Sequence, residues 1–243
     1  MADYSLARKA AAWGVHAITA FGAVCGINAI LAAMNAEWKL FFVWLIVATA
    51  IDGIDGMLAR AADVKKILPT FDGALLDNIV DYLTYVIAPA VFLYVYGLVP
   101  KGYGGLAAGM IAMASAYQFC QANAKTDDHF FVGFPSYWNI VVLYLFLLEL
   151  NPWVNMATIA GLSLLVFVPM KFLYPSRTVR FRTLTMVLTI AWSGLLLYLL
   201  WVYPEPHPVA ACLSLLYVAY YLVASVYVAG GLHLWLYIPP RKL

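Results

Sequence analysis

Six of the chain's twelve acidic residues lie between Asp52 and Asp81, in a stretch flanked by long apolar runs. Asp52 and Asp55 are three apart, and Asp77 and Asp81 are four apart. On helices each pair shares one face. Four carboxylates at the ends of two adjacent apolar helices repel one another unless cations neutralise them. With no Cys or His nearby in the sequence, such a cluster suits hard divalent ions such as Mg²⁺ or Mn²⁺. A solvated loop with capping acids accounts for any one of these residues. All four, together with Gly56 and Arg60, point to an active site. Arg60 has the donors to fork onto phosphate oxygens. Gly56 leaves the helix surface bare for a ligand to approach, or serves helix packing. No Ser–His or Cys–His pair is placed to form a covalent intermediate, so direct displacement is the simplest chemistry.

The elements that must position these groups belong to a membrane. Of 243 residues, 65% are hydrophobic and 11% charged, where an ordinary soluble domain has about a quarter charged. The expectation is an all-α integral membrane protein. Apolar runs lie near residues 14–35, 40–60, 73–99, 103–124, 136–150, 154–173, 184–203 and 208–230, giving eight transmembrane helices; a bilayer takes about 20 apolar residues per span. Arg8, Lys9 and Trp13 suggest a short N-terminal interfacial helix over 3–13. The run after it continues too far for a signal peptide and lacks a convincing cleavage site, so it is read as the first span. Eight spans place both termini on one side together with twelve of the fourteen Lys and Arg, leaving only Lys39 and Lys101 opposite. That asymmetry assigns the termini and the acidic stretch to the cytoplasm. Cys25, Cys120 and Cys212 sit in apolar runs without metal-site spacing and read as buried small hydrophobes. No linker, repeat or low-complexity tract divides the chain, so one domain covers 1–243.

The acidic stretch resembles the signature of the CDP-alcohol phosphotransferases, Asp-x2-Asp-Gly-x2-Ala-Arg, a spacer, then Gly-x3-Asp-x3-Asp. Asp52, Asp55, Gly56, Ala59, Arg60, Gly73, Asp77 and Asp81 fill every fixed position. The spacer from Ala61 to Asp72 is longer than in most members, and Asp-Gly is doubled at 52–53 and 55–56. Two C-terminal spans exceed the family's usual number. These features resemble the bacterial branch that takes choline as acceptor. The resemblance implies transfer of a phosphatidyl group from CDP-diacylglycerol to choline by metal-assisted in-line displacement, giving phosphatidylcholine and CMP. It implies two Mn²⁺ or Mg²⁺ ions on Asp52, Asp55, Asp77 and Asp81, with Asp81 also the catalytic base toward the incoming hydroxyl. Gly56, Ala59, Arg60 and Gly73 would line the CDP and phosphate site. His16 and Thr19 occupy the place where relatives often carry Asn and Thr near the nucleotide. The implied partners are CDP-diacylglycerol, choline and membrane lipids, with a homodimer and no nucleic acid. The implied location is the bacterial inner (cytoplasmic) membrane, with the site facing the cytoplasm.

Other groups add to this expectation. Arg177, Arg180 and Arg182 bring three arginines to the cytoplasmic face, to grip the lipid-side phosphate or to anchor topology. Lys65 and Lys66 suit phosphates or anionic headgroups equally. The loop Gly133-Phe134-Pro135-Ser136 resembles a loop of phospholipid synthases in this family, whereas Asp127-Asp128-His129 reads as solvated charge before it reads as a metal site. Choline has no N–H to donate, so aromatic faces must hold its quaternary ammonium. Seventeen Tyr and eight Trp are available. Those placed near Asp81 by spacing or loop are Tyr82, Tyr85, Tyr117, Tyr137 and Trp138. Tyr85, four residues on, shares the Asp81 face of a regular helix. Helix packing or an interfacial belt is the alternative for each.

Rival functions make different demands. Serine, inositol and glycerol phosphate are acceptors wanting Arg, Lys or Asn rather than aromatic faces, and phosphatidylserine synthesis is the nearest alternative. Membrane prenyltransferases also pair aspartate motifs with Mg²⁺, but their motifs lie far apart in sequence. A transporter would scatter its acids near mid-bilayer, whereas these cluster at one interface.

Overall fold

The computed structural model describes residues 4–121, 124, 126, 130–174, 180–205 and 207–231. The chain forms two compact units, Met1–Ala112 with Trp138–Val142, and Met113–Tyr137 with Leu143–Leu243.

The first unit is built on a long helix, α1 (Leu6–Met34), whose N-terminus is capped by the Ser5 side chain. Its buried stripe runs through Ala12, Val15, His16 and Thr19 and then through small residues alone, Gly22, Cys25, Gly26, Ala29, Ala32 and Ala33. Small side chains let helix backbones approach closely where lipid provides no hydrophobic drive for association. The turn Asn35–Glu37, with Ala36 left-handed at φ 59°, returns the chain into α2 (Trp38–Ala61). A single-turn helix, α3 (Val64–Ile67), follows and buries Val64 and Ile67 against Ala12 and Val15. The third long apolar helix has three parts: α4 (Gly73–Asp81), a π-helical turn (Tyr82–Ile87) and α5 (Ala88–Val95). In the π turn the Ala88 N–H donates to the Leu83 carbonyl, five residues back. Pro89 has no N–H to give the Tyr85 carbonyl, so the α-helical ladder is interrupted here in any case. Thr84 donates to the Val80 carbonyl at 3.1 Å. A Cβ on Gly26 would lie 2.7 Å from the Leu83 side chain, so only glycine permits this contact between α1 and the π turn. Deeper in the unit, Phe41, Phe92 and Tyr96 stack with ring centroids 4.2 Å apart at each step.

Two helices pass from one unit to the other: α6 (Gly104–Cys120) and α7 (Trp138–Leu147). The second unit adds α8 (Pro152–Leu165), started by Asn151 capping Trp153 N–H with Pro152 at its first position, then α9 (Arg182–Val202) and α10 (Pro208–Val228). It also holds a ribbon of two three-residue strands, β1 (Phe130–Val132) and β2 (Lys171–Leu173), antiparallel with Phe131 opposite Phe172. The ribbon is tied to α10, where Tyr221 donates its hydroxyl to the Leu173 carbonyl at 3.0 Å and Ser225 accepts from Leu173 N–H at 3.0 Å. Between α9 and α10, Thr185 pairs with Tyr220 and Thr189 with Tyr217, both at 2.7 Å.

The fold is a mostly helical membrane protein, and it departs from the sequence expectation in four places. Among the described residues, five helices are long and apolar enough to cross a bilayer: Leu6–Met34, Trp38–Ala61, Gly73–Val95, Arg182–Val202 and Pro208–Val228. The runs expected as spans over 103–124, 136–150 and 154–173 contain α6, α7 and α8, of 17, 10 and 14 residues. α7 is bounded by the left-handed Ser136 (φ 58°) after Pro135 and by the left-handed Glu149 (φ 47°), and α8 ends ahead of Val168-Pro169, which leads into β2. The β ribbon corrects the strictly all-α reading. Residues 6–13 are the first turns of α1 and not a separate interfacial helix, since no breaker separates Ala10–Ala12 from the apolar run. Cys25 is buried as expected, whereas Cys120 and Cys212 are exposed on their helices.

Candidate active site

Helix geometry alone brings Asp52 and Asp55 onto one side of α2, in its last three turns, and Asp77 onto α4. One carboxylate oxygen from each of Asp52, Asp55 and Asp77 lies within 4.8 Å of the others. Asp55 is buried, at 7% exposure, and the other two are half-buried. Among the described residues no other group of acids, His or Cys converges in this way. Ionised carboxylates at such separations repel by on the order of a few kcal/mol per pair before solvent screening. Oxygen-only donors, convergent and anionic, fit a hard divalent cation such as Mg²⁺ or Mn²⁺. Asp81, one turn beyond Asp77, is half-buried and stands outside this trio. Asp72, also in the acidic stretch, serves as helix cap, accepting from Ala74 N–H at 3.1 Å and Leu75 N–H at 3.0 Å.

Two hydroxyls from neighbouring helices reach the α2 carboxylates. Thr19 of α1 donates to Asp55 Oδ2 at 2.8 Å, both residues being buried. Tyr85, in the π turn, donates to Asp52 Oδ2 at 2.8 Å. The sequence reading placed Thr19 at the nucleotide and Tyr85 at choline, and so missed both contacts. The four-residue spacing from Asp81 pointed Tyr85 along the Asp81 face, and nothing in the local composition announces a π turn.

The remaining motif residues have visible packing reasons. A Cβ on Gly73 would lie 2.6 Å from His16 Cε1, so the missing side chain lets the imidazole rest on the first residue of α4. His16 is 6% exposed, wedged against Phe71 at 4.4 Å between ring centroids, and its Nε2 has no partner in the protein. An unpaired buried polar atom costs about 1–3 kcal/mol, which a ligand group would relieve. Arg60 is exposed at the end of α2, and one guanidinium nitrogen would stand 3.3 Å from a Cβ on Gly56. Gly56 thus makes room for the arginine to fold back along its helix. Ala59 packs on the Ala12, Val15, Val64 and Ile67 cluster.

Of the expected choline aromatics, Tyr82 donates to the Ala112 carbonyl at 2.9 Å, and Trp138 is wholly buried in the same unit as the aspartates. Tyr117 and Tyr137 belong to the second unit, where they meet Phe167 and Phe131 at ring-centroid distances of 4.8 and 6.0 Å. Arg180 is exposed there, donating to Tyr227 at 3.3 Å with its guanidinium over that ring, and Arg182 opens α9. Arg177 and the Asp127-Asp128-His129 loop lie outside the described residues. Lys66 and Arg8 both pair with Asp63 at the surface, at 3.2 and 3.4 Å.

The geometry is that of an anionic carboxylate cluster on α2 and α4 whose donors suit a divalent cation, and comparison with known proteins agrees with it. The chain is 46% identical over 192 residues to phosphatidylcholine synthase of Pseudomonas aeruginosa, covering 78% of this chain and 81% of that protein. It is 43% identical over 233 residues to phosphatidylcholine synthase of Legionella pneumophila, covering 92% and 91%. Phosphatidylcholine synthase of Borreliella burgdorferi is 36% identical over 220 residues, covering 89% and 93%. The CDP-alcohol phosphatidyltransferase profile matches residues 16–237, which include His16, Thr19 and all four aspartates of the signature. With its motif complete and that profile running almost end to end, the chain belongs to the CDP-alcohol phosphatidyltransferase family.

Proposed function

We propose that this enzyme transfers the phosphatidyl group of CDP-diacylglycerol to choline, releasing phosphatidylcholine and CMP. The observation that carries the chemistry is the convergence of Asp52, Asp55 and Asp77; the acceptor rests on relatives named phosphatidylcholine synthase over most of both chains. Asp52, Asp55, Asp77 and Asp81 would hold two Mn²⁺ or Mg²⁺ ions. When bound, such ions offset the charge of the pyrophosphate and of the in-line transition state.

The chain's own residues supply the rest. Arg60 pairs with a phosphate oxygen of the CDP-lipid, and the unpaired Nε2 of His16 faces the nucleotide. Gly56, Ala59 and Gly73 shape the wall. Asp81 accepts the choline hydroxyl proton as the oxygen bonds to the lipid-side phosphorus and the bond from that phosphorus to CMP breaks. Aromatic faces among Tyr82, Tyr85, Tyr117, Tyr137 and Trp138 hold the trimethylammonium group. At least one of Arg177, Arg180 and Arg182 grips the lipid phosphate.

The same reading makes the whole chain one family domain with eight spans, the three beyond the five long helices drawing on the apolar runs that contain α6, α7 and α8. Twelve Lys and Arg against two favour cytoplasmic termini and a cytoplasmic site in the bacterial inner membrane. Resemblance to the family supports a homodimer. The test is CMP release from CDP-diacylglycerol by purified protein with choline, serine, inositol or glycerol phosphate. Choline should be the preferred acceptor. If serine is used better, the acceptor assignment fails while the family assignment stands.

A further inference from the structure

We propose that Tyr85 and Thr19 are positioning residues for the cation site, each holding one carboxylate of α2 in its ligating orientation. This rests on the reading of the aspartates as cation ligands. Asp52 and Asp55 are the pair on one helix, and each receives a hydroxyl at 2.8 Å from a different neighbouring helix. Without a cation, mutual repulsion would turn the three carboxylates apart. A hydroxyl donated to one oxygen fixes the plane of the carboxylate and spreads part of its charge. These bonds to charged acceptors are stronger than neutral ones, and groups that orient a ligand contribute heavily to metal affinity.

The backbone is shaped for this contact. Were Tyr82–Ile87 regular α-helix, Tyr85 would follow the Asp81 face. The π turn inserts one residue, and Tyr85 instead meets Asp52 on α2. That turn is supported by the bare Gly26 beneath it and by Pro89 above it. Thr19 lies on the same small-residue face of α1 as Gly22 and Gly26. One interface, α1 against the third apolar helix, therefore sets both hydroxyls.

The test is Mn²⁺ titration of full-length protein in detergent, without substrate, followed by electron paramagnetic resonance. Tyr85→Phe keeps the ring and removes only the hydroxyl; Thr19→Val does the same for the threonine. Each should weaken Mn²⁺ binding about 10–100-fold with the melting temperature of the metal-free protein unchanged. Asp52→Asn should weaken it further. Tyr203→Phe removes a hydroxyl from a carboxylate elsewhere, Glu149 at 2.9 Å, and should bind Mn²⁺ like the unaltered protein. Wild-type affinity in both hydroxyl variants, with binding lost in Asp52→Asn, overturns the positioning role alone. Wild-type affinity in Asp52→Asn overturns the cation site itself, and the positioning role with it. For Tyr85→Phe, a raised choline KM with unaltered Mn²⁺ affinity would return Tyr85 to the acceptor pocket.

Discussion

Both units bury polar side chains among apolar helices, and they resolve the problem in opposite ways. Around α9 the groups are neutral and matched: Thr185 with Tyr220 and Thr189 with Tyr217 of α10, and Trp192 Nε1 donating to the hydroxyl of Tyr144 on α7 at 2.9 Å. These pairs form a neutral ladder of hydroxyls. In the first unit three carboxylates converge within 4.8 Å, and the hydroxyls that reach Asp52 and Asp55 are neutral donors. Neutral hydroxyl pairs join helices; a convergence of like charges marks a candidate site. Polarity inside a membrane helix is therefore a poor guide to function until its charge balance is drawn up.

The largest effect should come from Asp81→Asn. The general base contributes on the order of 10²–10⁴-fold to turnover, so kcat should fall by at least that much while CDP-diacylglycerol binding stays measurable. Turnover close to wild type would remove Asp81 from the chemistry. No residue of the α9–α10 ladder should show a loss of this size.

Next, Asp55→Asn should divide the two regions by their response to metal. Saturating Mn²⁺ at about 100 times its dissociation constant stabilises a binding protein by about 2.7 kcal/mol. The variant should lose most of that thermal shift, yet melt no lower than wild type in chelator, since one of three repelling charges has gone. A lower melting temperature in chelator would mean that the acids support the fold as the ladder does.

Third, Arg60→Ala should raise the KM for CDP-diacylglycerol by the loss of a charged hydrogen bond, about 1.5–3 kcal/mol. Lys39→Ala and Lys101→Ala, on the opposite side in the proposed topology, should leave it unchanged. Equal effects from all three would break that topology.

The acidic motif was readable because helix periodicity is a local rule: three- and four-residue spacings place Asp52 with Asp55, and Asp77 on a matching face. The long helices were readable from the length of their apolar runs. Three features were not. The π turn depends on Pro89 and on Gly26, sixty residues earlier in the chain, and so redirects Tyr85 by a tertiary contact. The β ribbon pairs Phe130–Val132 with Lys171–Leu173, and three residues carry no usable period. The shorter α7 and α8 end beside Ser136, Glu149 and Pro169, positions inside the apolar runs where the backbone turns. Asp72 shows the converse: an acid inside the motif stretch whose observed bonds cap a helix.

The smallest expected effect sharpens the comparison most, because it uses one substitution in both units. Thr189→Val removes a hydroxyl that donates to the Thr185 carbonyl and pairs with Tyr217, each at 2.7 Å, while keeping the β-branched shape. Hydrogen bonds between membrane helices contribute about 0.6 kcal/mol on average, because the separated helices find other partners. The melting temperature should therefore drop slightly, by the same amount with and without Mn²⁺, and Mn²⁺ affinity should not change. Thr19→Val removes the same group from a carboxylate, and its effect should appear in metal affinity and hardly in the metal-free melting temperature. If the two variants behaved alike, both hydroxyls would be doing the same structural job. A metal-dependent loss at Thr19 and a metal-independent one at Thr189 would separate the site from the scaffold by a single methyl-for-hydroxyl exchange.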